Sequence, residues 1–167
     1  MPTPECIHER MLALAKNLGI RVNDTRHLAK AMYCEREDSP NDYTNDAMAT
    51  LGDAVLKLIW SEHFFDMGLD KDGISDHKAD MENNATLRNL CERLHVYDYA
   101  YNDRFFGDEA PPHRNGPQRP AHDFYMEAII AAIYRDQGLE YTRAWVLSLW
   151  EARKDAIVRK GTQKQRT

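Results

Sequence analysis

Two carboxylates stand where carboxylates are expensive. Asp53 lies in "NDAMATLGDAVLKLIW", residues 45–60, and Glu127 in "FYMEAIIAAIY", residues 124–134. Both stretches are apolar over most of a helix's circumference, and an ionised acid in such company is costly unless it is paired or bound to a metal. Two such acids on two helices can share a divalent cation, which would polarise a phosphoryl oxygen and lower the pKa of a bound water. Asp46 lies seven residues before Asp53, nearly two helical turns, so the two share a face. A plainer reading stays open: Asp53 sits on a narrow solvent face, or pairs with Lys57 at i+4. Gly52 weighs against it, because a glycine inside a helix costs about 1 kcal/mol and marks a close approach.

The elements that must position these acids are helices in a single domain. A chain of 167 residues, 43% hydrophobic and 29% charged, has the makings of one core. The domain is expected over residues 1–158, followed by the basic tail "RKGTQKQRT", residues 159–167, which has no apolar residue and is expected to be disordered. A net charge of −5 argues against nucleic-acid binding by bulk positive charge but leaves room for a local basic patch. Cys6, Cys34 and Cys91 are odd in number and lack C-x-x-C spacing, which suits free thiols in a reducing compartment. The N-terminus resembles no signal peptide, and no apolar run reaches the roughly 18 to 20 residues of a membrane span. The expected location is the cytoplasm, with an organellar matrix left open and no membrane partner.

Along the chain, Thr3-Pro4-Glu5 reads as an N-cap with Pro at N1, Ile7, Met11, Leu14 and Leu18 give one helical face, and Gly19 is placed as a stop. Asp24 or Thr25 caps a second helix through Met32, and "EREDSPND", residues 35–42, is a polar break. A third helix runs from about Thr44 to Asp66 and ends at Gly68. Ser75 is the expected cap of a fourth, interrupted or continued near Asn83-Asn84, with Leu87, Leu90, Cys91 and Leu94 as its apolar face. Residues 102–121 form a long loop with two glycines and four prolines, and helices from about His122 to Asp136 and Leu139 to Val158 close the domain around Gly138. No segment shows a strand's period of two, so the expected class is all-α.

Four collinear segments resemble the ribonuclease III endonuclease domain: "LGIRVNDTRHLAKAM" (18–32), "LGDAVLKLIWSEHFF" (51–65), "ENNATLRNLCERL" (82–94) and "MEAIIAAIYRDQGLEYTRAWV" (126–146). The second is similar to the family's signature helix, Glu-Arg-Leu-Glu-Phe-Leu-Gly-Asp-Ala. The resemblance implies an all-helical domain that dimerises and cuts double-stranded RNA with Mg²⁺. It places Asp53 at the signature aspartate and Glu127 at the last-helix glutamate, as catalytic residues and metal ligands. Asp46 falls where the signature begins with Glu, toward RNA or behind the ligands. Ala49 stands where the family has its other signature glutamate, Gly73 near a further acid, and Phe124 where an aspartate precedes the last-helix glutamate by three. Asp123, one residue off that register, is a further metal candidate, as Asp72 and Asp76 are around Gly73.

The Mini-III branch also has Ala at the position of Ala49 and lacks a double-stranded RNA-binding domain, and "HRNGPQRP", residues 113–120, looks like its basic loop. The Asn83-Asn84 segment is closer to ordinary ribonuclease III. Arg114 and Arg119, with Lys57, Lys78 and Arg88, could contact phosphates. Dimerisation through the signature helix would use Met48, Thr50 and Leu51, and with Thr50 in place of the family's bulky aromatic, a homodimer packed differently or more weakly is expected. A His122-Asp123 pair with His63 or His77 could alternatively imitate the HD-type metal phosphohydrolases, on a much thinner spacing signal. The resulting expectation is a metal-dependent endoribonuclease for double-stranded or structured RNA. The competing one is a ribonuclease III fold that has lost catalysis and serves as an RNA-binding or ribosome-associated scaffold.

Overall fold

The computed structural model describes residues 2–35, 44–103, 124–149 and 151. Within them the architecture is helical, with one isolated β-bridge between Tyr33 and Tyr101. The chain forms α1 (Pro4–Leu18), α2 (Thr25–Met32), α3 (Asp46–Asp66), α4 (Lys71–Glu82), α5 (Asn84–Arg93), a 3-10 turn (Val96–Tyr99), α6 (Phe124–Gln137) and α7 (139–149).

Local chemistry explains most of the boundaries. Thr3 Oγ1 accepts from the Cys6 N–H at 3.2 Å to open α1, and Gly19 closes it at φ 70°, a left-handed position that glycine takes without a Cβ clash. Asp24 caps α2 through the Arg26 N–H at 3.0 Å. The expected cap at Ser75 is corrected: α4 starts a turn earlier, because Asp70 Oδ1 takes the Gly73 N–H at 2.8 Å and so satisfies one of the free donors of its first turn. At Asn83 the chain breaks rather than continues, that residue ending α4 and capping α5 through the Thr86 N–H at 2.8 Å.

The core is organised around α6, which is buried on every side from Tyr125 to Ile133. Its sequence alternates large residues (Met126, Ile129, Ile130, Ile133) with Ala128, Ala131 and Ala132, and the alanines let neighbouring helices come close. α3 packs along it, with α2 and α5 against other sides. From α3, Ile59, Trp60 and Phe64 point inward. The last turn of α6 and the start of α7 grip the turn between α1 and α2. Asp136 accepts the Asn23 and Asp24 N–H groups at 2.9 Å each, the Tyr141 hydroxyl accepts the Arg21 N–H at 2.8 Å, and Trp145 Nε1 donates to the Leu18 carbonyl at 2.9 Å. No described helix is long and apolar enough to cross a membrane.

Candidate active site

The site is built on a backbone crossing. A Cβ placed on Gly52 would lie 1.6 Å from the Glu127 carbonyl oxygen and 2.5 Å from its carbonyl carbon. Only a hydrogen fits there. This is the close approach that the mid-helix glycine advertised, and it fixes α3 against α6 where the two acids are carried. Glu127 is 6% exposed, a buried carboxylate on the innermost helix.

Asp53, beside the glycine, is less buried than its apolar neighbours suggest. Its side chain is 35% exposed and its Oδ2 accepts from Lys57 Nζ at 2.7 Å, the i+4 pairing of the plainer reading. A half-exposed pair of this kind contributes about 0.3 to 0.5 kcal/mol, so it is easily exchanged for a stronger cation. Lys57 answers to more than one acid. Its ammonium is held above the ordinary lysine range first by the hydrogen bond with Asp53 and by that residue's charge, and further by the charges of Glu82 and Glu127.

Glu82 was not singled out in the sequence. It is the last residue of α4, half-buried, and its Oε1 is buried with no hydrogen-bond partner. Burial pushes its carboxyl above the usual range and Asp53 adds to the shift, while Lys78 and Lys57 oppose it. One signal was available: a carboxylate in the last turn of a helix opposes the helix dipole, so something other than local stability keeps it there.

The donor set fits a hard divalent cation in kind, being carboxylate oxygen with one buried acceptor left open. The side chains are not drawn together around a point: among the described residues no group of three or more His, Cys, Asp or Glu is arranged to hold a metal ion. In this arrangement Lys57 feels the charges of Asp53, Glu82 and Glu127, and Glu82 faces Lys78 as well.

The other candidates divide. Asp46 is half-buried in the first turn of α3, and its carbonyl accepts from the Thr50 hydroxyl at 2.9 Å. Lys78 stands one turn before Glu82. Ala49 is buried beneath Asp53, whereas Asp72 and Asp76, the suggested replacements around Gly73, are exposed. His63 and His77 flank the Phe64 ring at 5.3 and 5.2 Å between centroids, an aromatic cluster at the far end of α3. Asp123, Arg114, Arg119, His122 and the side chain of Phe124 lie outside the described residues, as do the 113–120 loop and the 159–167 tail.

Among the described residues, nothing covers one side of α3. Met48, expected to line a dimer contact, turns inward and is buried, because it shares the core-facing stripe with Val55 and Ile59. Leu51, Leu58 and Phe65 are instead exposed, recurring every seven residues with Thr50 and Ala54 beside them, and Phe65 is 69% exposed.

A family model described as the ribonuclease III domain matches residues 46–138, more than half of the chain and the whole run from α3 to the end of α6. The chain belongs to the ribonuclease III domain family. Curated relatives agree: Ribonuclease 3 of Chloroflexus aurantiacus is 28% identical over 158 residues, covering 90% of this chain and 63% of that protein. Ribonuclease 3 of Caenorhabditis briggsae is 30% identical over 142 residues, covering 82% of this chain and 13% of that one. The chain therefore spans less than two thirds of these relatives' length. Among solved structures, the nuclease domain of ribonuclease III from Campylobacter jejuni superposes with a TM-score of 0.65 at 24% identity, covering 87% of this chain and 94% of that domain. A second structure of that domain, described for flexibility in its dimer-forming region, gives 0.64 at 22%. The shared fold is thus that of the ribonuclease III nuclease domain, and within it Gly52 and Asp53 fall inside the matched segment together with Glu127.

Proposed function

We propose that this ribonuclease III domain is a divalent-metal-dependent endoribonuclease acting on double-stranded or structured RNA, with Asp53 and Glu127 as its catalytic acids. The observation that supports it most is the Gly52–Glu127 crossing, which brings the backbones of the two acid-bearing helices into contact beside Asp53. Mg²⁺ or Mn²⁺, when bound, would polarise the scissile phosphoryl group and make hydroxide available near neutral pH. Asp53 and Glu127 would hold it. Lys57, released from Asp53, would be left beside the incoming phosphate, where its charge offsets that of the RNA backbone, and Lys78 would extend the same cationic edge. The odd number and spacing of Cys6, Cys34 and Cys91, without a C-x-x-C pair, support a reducing compartment such as the cytoplasm.

The test is purified protein on long double-stranded RNA with millimolar Mg²⁺ or Mn²⁺. Cation-dependent cleavage that chelator abolishes is the expected result. No cleavage with either metal would end the enzyme reading in favour of the scaffold, which the existing Asp53–Lys57 pair also accommodates.

We also propose a homodimer through the exposed side of α3. Sedimentation at about 50 µM should show dimer, since an interface of about 1,600 Å² needs only modest quality to hold at that concentration. Leu58→Lys should shift the sample to monomer, because it buries a charge in the centre of the strip. A wild type that is monomeric throughout would refute the assignment.

A further inference from the structure

Glu127 lies in the first turn of α6, where a helix is least able to hold its own shape. The first four N–H groups of a helix have no partner within it, so the set of that turn depends on what packs against it. One contact is the crossing itself, with the Glu127 carbonyl against Gly52. A single point of contact leaves the turn free to roll about the helix axis. We infer that Tyr97, in the 3-10 turn, is a positioning residue for Glu127, which fixes that roll through the ring of Tyr125. The inference rests on the reading of Glu127 as a metal ligand and goes beyond it.

Tyr125 is 2% exposed, and the Tyr97 ring meets it edge to face, with 5.8 Å between centroids and 83° between planes. Residues 125 and 127 stand about 200° apart round a helix, so Tyr125 leaves α6 on the side turned away from Glu127. The first turn is therefore gripped from two sides, by Gly52 and by Tyr97. Rolling the helix would slide one ring off the face of the other.

Tyr97 is itself firmly based. Val96 beside it is fully buried, the Leu94 carbonyl accepts from Asn17 Nδ2 at 2.5 Å, and the Asp98 carbonyl accepts from the Arg10 guanidinium, which also lies 5.7 Å from the Tyr99 ring centroid. Both donors belong to α1. His95, which opens the turn, sits at φ 53°, a left-handed conformation that a residue with a Cβ keeps only where its surroundings over-determine it. A contact chain thus runs from α1 through the 3-10 turn to the first turn of α6. Loosening it at Tyr97 would let the Glu127 carboxylate turn away from the cation it shares with Asp53, and metal affinity falls when a ligand loses its orientation.

The experiment is Mn²⁺ binding to the full chain by calorimetry, with thermal melts in chelator and single-turnover cleavage of double-stranded RNA, for wild type, Glu127→Gln, Tyr97→Phe, Tyr97→Leu, Tyr125→Leu and the double leucine variant. Glu127→Gln should lose the site. Tyr97→Leu should bind Mn²⁺ about tenfold more weakly and cleave more slowly at a given Mn²⁺ concentration, with the RNA concentration for half-maximal rate unchanged. Tyr97→Phe keeps the ring and should bind within about twofold of wild type, and the double variant should be no weaker than the weaker single one. Should Tyr97→Leu fail to fold, Tyr97→His, a flat ring of shorter reach, takes its place with the same expected result. If Glu127→Gln loses binding while the folded Tyr97 variant matches wild type, Tyr97 does not position the glutamate and the metal reading stands. A Phe variant as weak as the Leu variant, or losses that add in the double variant, would equally overturn the ring contact as the cause. If wild type does not bind Mn²⁺, or Glu127→Gln binds as wild type does, the metal reading itself falls and this inference with it.

Discussion

Gly52→Ala is expected to destabilise the domain by about 2 kcal/mol or more, although alanine is the better helix former by about 1 kcal/mol. The added methyl would meet the Glu127 carbonyl oxygen at 1.6 Å, and that oxygen belongs to the backbone of a buried helix, so relief requires α3 and α6 to separate. Overpacking of this kind cannot be absorbed by a rotamer change, because the obstacle has no rotamers. Urea denaturation of the two proteins measures the difference directly, and the same separation should cost cleavage by spreading the acids. An alanine variant as stable as wild type would mean that the helices do not touch there.

Asp53→Asn should have the opposite profile: cleavage down by at least about a hundredfold, stability almost unchanged. The substitution removes a charged ligand while keeping shape, and the ion pair it removes among the described residues is a half-exposed one with Lys57. Single-turnover cleavage of double-stranded RNA, read beside a thermal melt, separates the two effects. Cleavage retained within a few-fold would move the catalytic centre elsewhere. Cleavage lost together with folding would give Asp53 a structural role instead.

How far this site can be read from the sequence differs residue by residue. Gly52 was legible because a glycine inside an apolar helix violates local preference, and the violation has a cause, the Glu127 backbone. Asp53 was legible as an oddity with two readings, and the structure has the plainer one, a partly exposed carboxylate paired with Lys57, with Leu51 and Leu58 also facing outward. Apolar residues on both faces of one helix do not say which face meets the core, and Met48 is buried within the chain while Leu51 is exposed. The cap of α4 went to Ser75 because serine is a strong capping residue, while Asp70, directly before the helix, satisfied the Gly73 amide first. Glu82 escaped because its meaning is tertiary: nothing in "DMENNA" says that α4 delivers its last residue to the charges of α3.

The grip on the turn between α1 and α2 has a consequence for how the protein is made. Leu18, Arg21, Asn23 and Asp24 bond to residues 112 to 127 positions later. At about 5 to 20 residues per second, a ribosome needs roughly 6 to 25 seconds to supply those partners. For the later part of that interval α3 is already out, its inner row of Ile59, Trp60 and Phe64 bare, because α6 has not been synthesised. Contacts that distant in sequence reward the chain only after a long loop has closed. The nascent domain therefore assembles in one late, cooperative event, and until then it presents to chaperones the same apolar surface that later carries its acids.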